Sequence, residues 1–484
     1  MTDFDKLFIG GHWTAPSTEE TLEVFSPATR ARVGATPVAA PADIDAAAAA
    51  ARTAFESGPW ARTSPVERAQ VLARVAALIT ERSAELTEVI SDEMGAPHSM
   101  VGMLQQTPAL AVLEYCTQLA EAFPWEETRH GAFGQSKVTR EPVGVVAAVI
   151  AWNVPLFLAV NKLAPALLAG CSVLLKPAPE TPLGANLLAD IFTDAGIPEG
   201  VLSVLPGGAD TGEYLVSHPL VDKVTFTGST TVGRTIGTIA AQQLKRCSLE
   251  LGGKSAAILL EDMDIASTMP MLLISGLMNS GQACVAQSRI LAPRSRYDEI
   301  IDAMVTGIGW MQVGDPKDPA TQLGPLISEK QRTRVEDYIA TGKDEGARLV
   351  VGGGRPEGLD GWYVEPTIFA DVDNSMTIAR EEIFGPVLAV IPYDSEDEAI
   401  KIANDSDYGL AGSVWTTDIA HGLEVASQIR TGTYAINWYA FDPGSPFGGY
   451  KNSGIGRESG PEGLDAYCEL KSVLMPPGYT DAPA

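Results

Sequence analysis

The chain has 484 residues, more than a single hydrophobic core usually organises, so we expect two or more compact units. With 45% hydrophobic and 20% charged residues, its composition is that of a globular protein and not of a disordered one. The formal net charge of -27 repels nucleic acid and anionic membranes, so we expect neither as a partner.

The cysteines and the apolar segments limit the environment of the protein. The five cysteines are an odd number without a close pair, which argues against a disulfide framework or a zinc site, and we expect no metal. The start, MTDFDKLFIGGHW, lacks a basic segment followed by an apolar run, so no signal peptide is predicted. The most apolar stretch, 156–175, contains Pro165 and Gly170, which disfavours a membrane span. We expect a cytoplasmic, reducing environment that keeps a thiol free.

The predicted elements begin with a turn-rich extended segment and then a helix. Ser64, Pro65 and Glu67 combine an N-cap, a proline in the first turn and a capping-box glutamate. The apolar residues that follow keep helical spacing until Gly95, a typical helix stop. This part of the chain is predicted to be a structural scaffold without candidate catalytic residues.

From Val143 the pattern changes to short β-rich apolar runs that alternate with helical stretches. The runs are VGVVAAVIA, SVLLK, VLSVLPG, KVTFTG and AAILLE, and they reach about residue 260. Continuous apolar strands between helices predict one parallel sheet covered on both faces, with AAILLE as its last strand.

A second α/β region follows. TMPMLLISGLMNSGQAC and RVEDYIATGKDEGA are helical in pattern, whereas RLVVGG and GPVLAVIPY are strand candidates. The glycine-rich and proline-rich segments EEIFGPV and PFGGYKNSGIGRESG predict loops that line a site.

Cys284, in GQACVAQSR, is the first candidate for chemistry. An arbitrary cysteine is usually a small buried hydrophobe, and no histidine lies near this one in sequence. Gly281, however, allows a backbone turn that presents the thiol at a cavity wall.

Three polar residues lie at or just beyond the ends of predicted strands: Asn153, Lys176 and Glu250. Asn153 lies at a carboxyl end, where ligands of α/β sheets tend to bind, and Lys176 could bond cofactor hydroxyl groups. Each has an ordinary alternative, namely a local hydrogen bond, a snorkelling amine or a solvent-facing strand end. The segment FTGSTTVGRT resembles a P-loop, but Arg234 replaces the required lysine, which excludes triphosphate hydrolysis. Its turn into a helix still suits a pyrophosphate, although no GxGxxG motif is present.

Seven motifs together resemble the aldehyde dehydrogenase superfamily, in order and over nearly the whole chain: AWNVP, LLKPAPETP, FTGSTTVG, LELGGKS, GQACVAQSR, EEIFGPV and PFGGYKNSGIGR. The resemblance implies an α/β fold with a Rossmann-like cofactor domain, an α/β catalytic domain and a small bridging β oligomerisation element. The implied ranges are 1–122 with 142–252, 253–455, and 123–141 with 456–484. In the family the strand at 467–475 pairs with another subunit, which implies a homodimer or homotetramer.

The resemblance also implies a mechanism. Cys284 attacks the aldehyde as a thiolate, for which the site is expected to lower its pKa or to remove its proton through Glu250. The Asn153 amide with the Cys284 backbone N–H holds the oxyanion of the thiohemiacetal. After hydride transfer, Glu250 activates the water that hydrolyses the thioester to the acid.

Cofactor and substrate residues are implied in the same way. The cofactor set is Trp152, Lys176, Pro179, Gly228, Ser229, Gly233, Leu251, Glu382 and Phe384, in which Lys176 and Glu382 hold the two riboses. Pro179 stands where NAD-preferring relatives often have a carboxylate, so we favour NAD but leave NADP use open. The aldehyde tunnel is implied to comprise Val154, Leu158, Trp438, Tyr439, Phe441 and Phe447. This apolar set favours an aliphatic, terpenoid or aromatic aldehyde, although each aromatic residue has ordinary core packing as its alternative.

Three other functions remain as alternatives. A CoA-acylating dehydrogenase would release its thioester to coenzyme A, which the presence of Glu250 argues against. A catalytically silent binding or structural relative is disfavoured because Cys284, Glu250, Asn153 and Lys176 are all intact. A cysteine hydrolase would need a partnering base and no nicotinamide.

Overall fold

The protein is described by a computed structural model that covers residues 1–476 and residue 479. Its α-helices are α1 (Pro41–Ser57), α2 (Pro65–Glu81), α3 (Ser83–Met94), α4 (His98–Val101), α5 (Thr107–Ala122), α6 (Pro155–Ala169), α7 (Leu183–Asp194), α8 (Ala209–Ser217), α9 (Thr230–Gln242), α10 (Ile265–Leu277), α11 (Tyr297–Ile308), α12 (Glu329–Asp344), α13 (Thr377–Arg380), α14 (Glu396–Asn404), α15 (Ile419–Ser427) and α16 (Gly460–Asp465).

The strands are β1 (Thr2–Asp3), β2 (Leu7–Ile9), β3 (His12–Thr14), β4 (Thr21–Phe25), β5 (Arg32–Pro37), β6 (Glu126–Gly131), β7 (Gly134–Pro142), β8 (Val145–Val149), β9 (Ser172–Lys176), β10 (Leu202–Val204), β11 (Lys223–Thr227), β12 (Arg246–Glu250), β13 (Ala256–Leu259), β14 (Arg289–Pro293), β15 (Arg348–Val351), β16 (Thr367–Ala370), β17 (Val387–Tyr393), β18 (Tyr408–Gly409), β19 (Gly412–Trp415), β20 (Ala435–Ile436), β21 (Tyr450–Lys451), β22 (Gly454–Ile455) and β23 (Cys468–Leu474).

The predicted helix after residue 63 is confirmed, with one break. The Ser64 hydroxyl accepts from the Glu67 backbone N–H, so the capping box forms at the start of α2. Arg82 leaves the helical conformation between α2 and α3, and α3 ends at Gly95 in the left-handed conformation, at φ 76°. The periodicity alone indicated one continuous helix.

The first large sheet is the predicted parallel sheet. Its order is β22-β12-β11-β8-β9-β10-β2-β3, and the five strands from β12 to β10 are parallel. Strands β8, β9 and β11 are buried along their whole length because helices cover both faces. One face packs on α2, α5, α6 and α7, and the other packs on α1 and α9.

The second large sheet has the order β15-β16-β17-β14-β13-β19-β20, and only β15 is antiparallel to its neighbour. The assignment of AAILLE to the first sheet was wrong. This segment forms β13, which pairs with β14 and β19. The glycine pair at 252–253 carries the chain from the end of β12 into the new sheet. Conversely, β22, within the range predicted as catalytic, pairs with β12.

The third sheet is the small antiparallel one of order β23-β7-β6. It contains the two segments predicted for the bridging element, 123–141 and the strand near 467–475. Strand β23 is an edge strand, and its Leu470, Val473 and Leu474 side chains are exposed. Residues 477, 478 and 480–484 of the predicted bridging range lie outside the described residues.

Two kinds of feature are absent from the described residues, a membrane-spanning helix and a cluster of metal-binding side chains. No helix has the length and apolar character needed to cross a membrane. No group of three or more histidine, cysteine, aspartate or glutamate side chains is arranged to hold a metal ion.

Candidate active site

The candidate site lies where opposite ends of the two large sheets meet. Glu250 is the last residue of β12 and Asn153 follows β8, so both lie at the carboxyl edge of the first sheet. Gly253 precedes β13 and Cys284 precedes β14, at the amino edge of the second sheet. A side chain at Gly253 would overlap the Cys284 carbonyl, so the two chain segments are in close contact. The loops of two sheets therefore form one site.

A strained turn presents Cys284. After α10 the chain makes a short 3-10 turn in which Asn279, Ser280 and Gly281 have φ of 53°, 56° and 71°. Residues other than glycine adopt this left-handed region at a cost, and such strain concentrates at functional sites. A side chain at Gly281 would overlap the carbonyl of Gly385, so only glycine fits there. The turn predicted from Gly281 is present.

Asn153 is fastened to the loop that carries Cys284. Its Nδ2 donates to the Gln282 carbonyl at 3.1 Å, and its own carbonyl accepts from Asn279 Nδ2 at 2.8 Å. The Gln282 side chain in turn accepts from the Ile327 backbone N–H at 2.9 Å. Sequence reasoning did not predict Asn279 and Gln282. Both are amide side chains next to or near Gly281, at the end of an apolar helix, and that position could have indicated them.

The Cys284 thiol is only partly accessible to solvent. Burial raises its pKa to about 12, and the negative charges of Glu382 and Glu250 act in the same direction. A lowered thiol pKa, one of the two expected routes to the thiolate, is therefore not found. The thiol is protonated at neutral pH, and it needs a proton acceptor when it attacks an electrophile.

Glu250 is buried, with 3% of its surface exposed, and neither carboxylate oxygen has a hydrogen-bond partner among the described residues. Burial raises its pKa well above the usual value, and the charge of Glu458 adds to this effect, whereas Lys162 and Arg457 oppose it. A carboxyl group with a raised pKa binds a proton more strongly than a solvated one, as a general base requires.

A buried polar network lies behind Glu250. The Glu458 carboxylate forms an ion pair with Lys162 and accepts from Asn161 Nδ2 at 2.9 Å and Thr225 Oγ1 at 3.2 Å. Sequence reasoning missed this network, because Asn161 and Lys162 look like interruptions of an apolar helix and Glu458 falls in the range predicted as bridging element.

The predicted pyrophosphate turn opens helix α9. Ser229 caps the helix by accepting from the Val232 backbone N–H at 3.4 Å, and the Gly228 N–H donates to the Glu250 carbonyl at 3.0 Å. Gly233 packs directly on Leu251, and a side chain at Gly233 would overlap it. The N-terminus of α9 is thus held beside the end of β12. We call it the α9 cradle, because a helix N-terminus of this kind is suited to bind an anion.

Lys176 lies at the end of β9, where its Nζ donates to the Pro177 carbonyl at 2.9 Å. Burial lowers its pKa to about 8, and the charge of Glu180 opposes this shift. Pro179 lies in the same turn and is partly buried. A lysine held at this edge is suited to donate to cofactor hydroxyl groups.

The EEIFGPV loop approaches from the second sheet. Glu382 Oε1 accepts from the Gly253 backbone N–H at 2.9 Å, and burial raises the pKa of this carboxyl to about 7. Phe384 has a φ of 61°, and its ring lies edge-on to Trp152 with the ring centroids 5.3 Å apart. The predicted cofactor residues of the two sheets therefore converge.

A cleft of about 570 Å³ between the two α/β units is lined by Trp152, Glu180, Ile327, Ser328, Lys330, Gln331, Arg334, Asp337, Tyr338, Thr341 and Glu381. Its α12 residues were missed in the sequence. Gln331 Nε2 donates to the Phe384 carbonyl at 2.7 Å, and Arg334 donates to the Glu382 carbonyl at 2.6 Å. The cleft, the α9 cradle and the two partly desolvated groups Lys176 and Glu382 fit an extended dinucleotide.

Aromatic side chains form the apolar side of the site. Phe441 contacts Phe157 and Phe447, with ring centroids 4.7 Å and 6.1 Å apart. Tyr439 lies close enough to Cys284 and Glu250 for their charges to raise its phenol pKa, in addition to the effect of burial.

The remaining residues predicted for the aldehyde pocket differ in how deeply they are buried. Val154 packs partly buried against the core, and Leu158 is buried in it. Trp438 is 57% exposed. Phe157, which belongs to the aromatic group, was not predicted.

The chain is similar to known proteins over nearly its whole length. The model of the aldehyde dehydrogenase family matches residues 13–473. The chain is 47% identical to a geranial dehydrogenase of Castellaniella defragrans over 474 residues, which are 98% of this chain and 99% of that protein.

Solved structures of aldehyde dehydrogenases are also similar to this chain. An aldehyde dehydrogenase of Mycobacterium tuberculosis in complex with NAD+ is 62% identical with a TM-score of 0.98, and the match covers 99% of both chains. A variant of aldehyde dehydrogenase C of Pseudomonas syringae, in complex with NAD+ and octanal, is 42% identical with a TM-score of 0.94 over 99% of this chain and 98% of that one.

Proposed function

The chain belongs to the aldehyde dehydrogenase family, and we propose that Cys284 is the nucleophile with which it oxidises an apolar aldehyde to the carboxylic acid. It is an NAD-dependent aldehyde dehydrogenase. The observation that carries the proposed assignment is the convergence of a protonated thiol, an unpaired buried carboxyl group and a fixed amide at one sheet junction.

In the first step the sulfur of Cys284 bonds to the aldehyde carbon. Because the thiol is protonated at neutral pH, its proton has to leave as the bond forms, and Glu250 is the acceptor that its raised pKa suits. The carbonyl oxygen becomes an oxyanion, which the Asn153 amide and the Cys284 backbone N–H stabilise. The product of this step is a thiohemiacetal.

NAD, when bound, supplies the hydride acceptor that turns the thiohemiacetal into a thioester. We assign its riboses to Lys176 and Glu382 and its pyrophosphate to Gly228, Ser229 and the α9 N-terminus. Trp152, Pro179, Gly233, Leu251 and Phe384 complete the assigned surface.

Before the last step Glu250 releases the thiol proton to solvent. It then removes a proton from water, and the water oxygen bonds to the thioester carbon while the carbon–sulfur bond breaks and the sulfur takes up a proton. The acid leaves and the Cys284 thiol is restored. A base buried without competing hydrogen bonds favours this hydrolysis over transfer to coenzyme A.

The substrate class follows from the aromatic side of the site. Phe157, Phe441 and Phe447 offer contact area to an apolar aldehyde, whereas a charged substrate would need a counter-charge there. The names of the similar proteins, which include a geranial dehydrogenase and a complex with octanal, support the same class.

Assembly and domain division are part of the proposal. The exposed edge strand β23 is suited to pair with a second copy, and we propose a homodimer or homotetramer, which light scattering measures. We keep the division into 1–122 with 142–252, 253–455, and 123–141 with 456–484. All five cysteines are unpaired, which supports a cytoplasmic location.

The test is a panel of apolar and charged aldehydes assayed with NAD and with NADP, with identification of the product. We expect NAD reduction with the apolar members and release of the free acid; a product that appears only as a thioester of added coenzyme A would contradict the proposal.

The Glu250→Gln variant tests both roles of this carboxyl group. Release of NADH should still appear as a first-turnover burst, slower than in the unmodified protein because the acceptor of the thiol proton is missing. Steady turnover should fall further, by about a hundredfold or more, because the base of hydrolysis is missing as well. Steady turnover equal to that of the unmodified protein would remove Glu250 from this role.

A further inference from the structure

Lys254, in the segment LELGGKS, has no part in the mechanism above. Its side chain is 2% exposed, and Nζ makes no hydrogen bond with the described residues. The hydroxyl of the adjacent Ser255 is also buried without a partner. Two neighbouring buried polar groups without hydrogen-bond acceptors are unusual, because no hydrogen bond compensates the loss of their hydration.

The two residues border a small enclosed cavity of about 10 Å³, enough for one water molecule. The cavity is lined by Lys254, Ser255, Ala256, Arg289, Ala403, Tyr408, Gly409, Leu410, Ala411, Ile429, Thr431 and Tyr434. No carboxylate belongs to this lining. A water molecule there would accept from the ammonium and from the Ser255 hydroxyl.

The charges around Lys254 come from two sides. Burial lowers the pKa of Lys254 to about 7, and Arg289, on β14, acts in the same direction. The charges of Glu382 and Glu381, before β17, oppose this shift and favour the ammonium form. The Arg289 guanidinium is occupied by the carbonyls of Lys254, Ile402 and Ala403 and by the Asn374 side chain. The carboxylates of the EEIFGPV loop are therefore the negative groups that act on Lys254.

The Glu382 carboxylate contacts the backbone immediately before Lys254. Its carboxylate rests on the glycine pair that precedes Lys254, with Oε1 accepting from the Gly253 N–H at 2.9 Å. A side chain at Gly252 would overlap the same carboxylate. The phenol ring of Tyr408, which lines the cavity, lies within the field of Glu382 as well.

We propose that Lys254 is a positioning residue for the cofactor: its ammonium, hydrated by one water molecule in the cavity, keeps the Glu382 carboxylate ionised and on the Gly253 N–H. This inference rests on the proposed role of Glu382 in holding a cofactor ribose. An ionised carboxylate accepts from both ribose hydroxyl groups, whereas a protonated one presents a competing donor.

The balance of charges supports this role. Burial raises the pKa of Glu382 to about 7, and the positive charges of Lys254 and Arg334 counter that rise. A buried ammonium without a close partner destabilises the fold, and replacement by an apolar side chain of similar length is expected to stabilise it. A group that costs stability at a binding site is best explained by function.

The test is NAD binding, measured by fluorescence titration, to the full-length protein and to Lys254→Met, Glu382→Gln and the double variant. We expect Lys254→Met to weaken NAD binding about tenfold. The loss should appear in KM for NAD and not in kcat, and the melting temperature should rise. In the Glu382→Gln background the lysine change should add no further loss, because its target is absent.

Lys223→Met is the matched control. Lys223 is equally buried, but it donates to Ser248 Oγ at 2.8 Å and lies over the Tyr467 ring, away from Glu382. Its removal should leave NAD affinity unchanged. A Lys254→Gln variant keeps the test valid if the methionine variant does not fold.

The outcomes separate the two levels of the proposal. If Glu382→Gln binds NAD as tightly as the unmodified protein, the proposed role of Glu382 is wrong. If Glu382→Gln weakens binding and both Lys254 variants do not, the inference about Lys254 is overturned. A crystal structure without a water molecule between Lys254 Nζ and Ser255 Oγ would contradict the hydrated site.

Discussion

The two large sheets use opposite ends for the candidate chemistry. The first sheet contributes Asn153, Lys176 and Glu250 from the carboxyl ends of its parallel strands. The second sheet contributes the glycine pair at 252–253, Cys284 and Glu382, all of which precede its strands. The general tendency of ligands to bind at the carboxyl edge of α/β sheets therefore applies to one sheet and not to the other.

The unused carboxyl edge of the second sheet makes the contrast clear. A cleft of about 720 Å³ lies there, lined by Leu260, Glu261, Asp262, Pro293, Arg294, Ser295, Tyr393, Asp394, Ser395, Glu396 and His421. These side chains pair largely with one another, as Arg294 does with Asp394 and His421 with Glu396. A sheet edge thus becomes an active site only where a second element brings complementary groups to it.

The largest expected effect comes from the amino edge of the second sheet. Cys284→Ala should abolish aldehyde-dependent NAD reduction, with a loss of about a thousandfold or more, because no other group can carry the acyl intermediate. The control is Cys247→Ala, a partly buried cysteine on β12. Full activity of the Cys284 variant in a spectrophotometric assay would refute the mechanism.

The next effect comes from the carboxyl edge of the first sheet. Asn153→Ala should lower kcat by about a hundred- to a thousandfold, as loss of an oxyanion-hole donor does. Asn279→Ala, which removes the 2.8 Å hydrogen bond to the Asn153 carbonyl, should lower kcat less, by about tenfold. Equal losses in both variants would indicate collapse of the loop and not loss of a donor.

A smaller effect is the pH dependence of Cys284 alkylation. Because its pKa is raised to about 12, the thiolate fraction should grow about tenfold per pH unit between about pH 7 and pH 10, and so should the rate of reaction with iodoacetamide. Glu250→Gln removes a negative charge and should shift the profile to lower pH. The modified peptide is quantified by mass spectrometry, and a plateau near neutral pH would contradict the raised pKa.

The smallest effect is expected at the unused edge. Arg294→Ala breaks an exposed ion pair with Asp394, which contributes little to stability because solvent screens it, and should leave kcat/KM within about twofold. A large loss of activity would show that the cleft at the carboxyl edge of the second sheet takes part in function, and would contradict the view that this edge is not used.

The sequence by itself determined the class of fold and the chemical groups. Alternating apolar strands and helices indicated the parallel sheet, because side-chain periodicity is a local property. The strand ends marked Asn153, Lys176 and Glu250, and the motif series identified Cys284. The capping box at Ser64 and the stop at Gly95 were also local signals, and both are present.

Tertiary structure alone decided how these parts meet. The segment AAILLE has the pattern of a buried strand, and pairing with β14 and β19, which no local pattern encodes, places it in the second sheet. Asn279 and Gln282 form hydrogen bonds to Asn153 across the sheet junction. The proposed role of Lys254 depends on its electrostatic interaction with Glu382, which is more than a hundred residues away along the chain. Local preferences select elements, whereas long-range packing selects which edges face each other and therefore which side chains form the site.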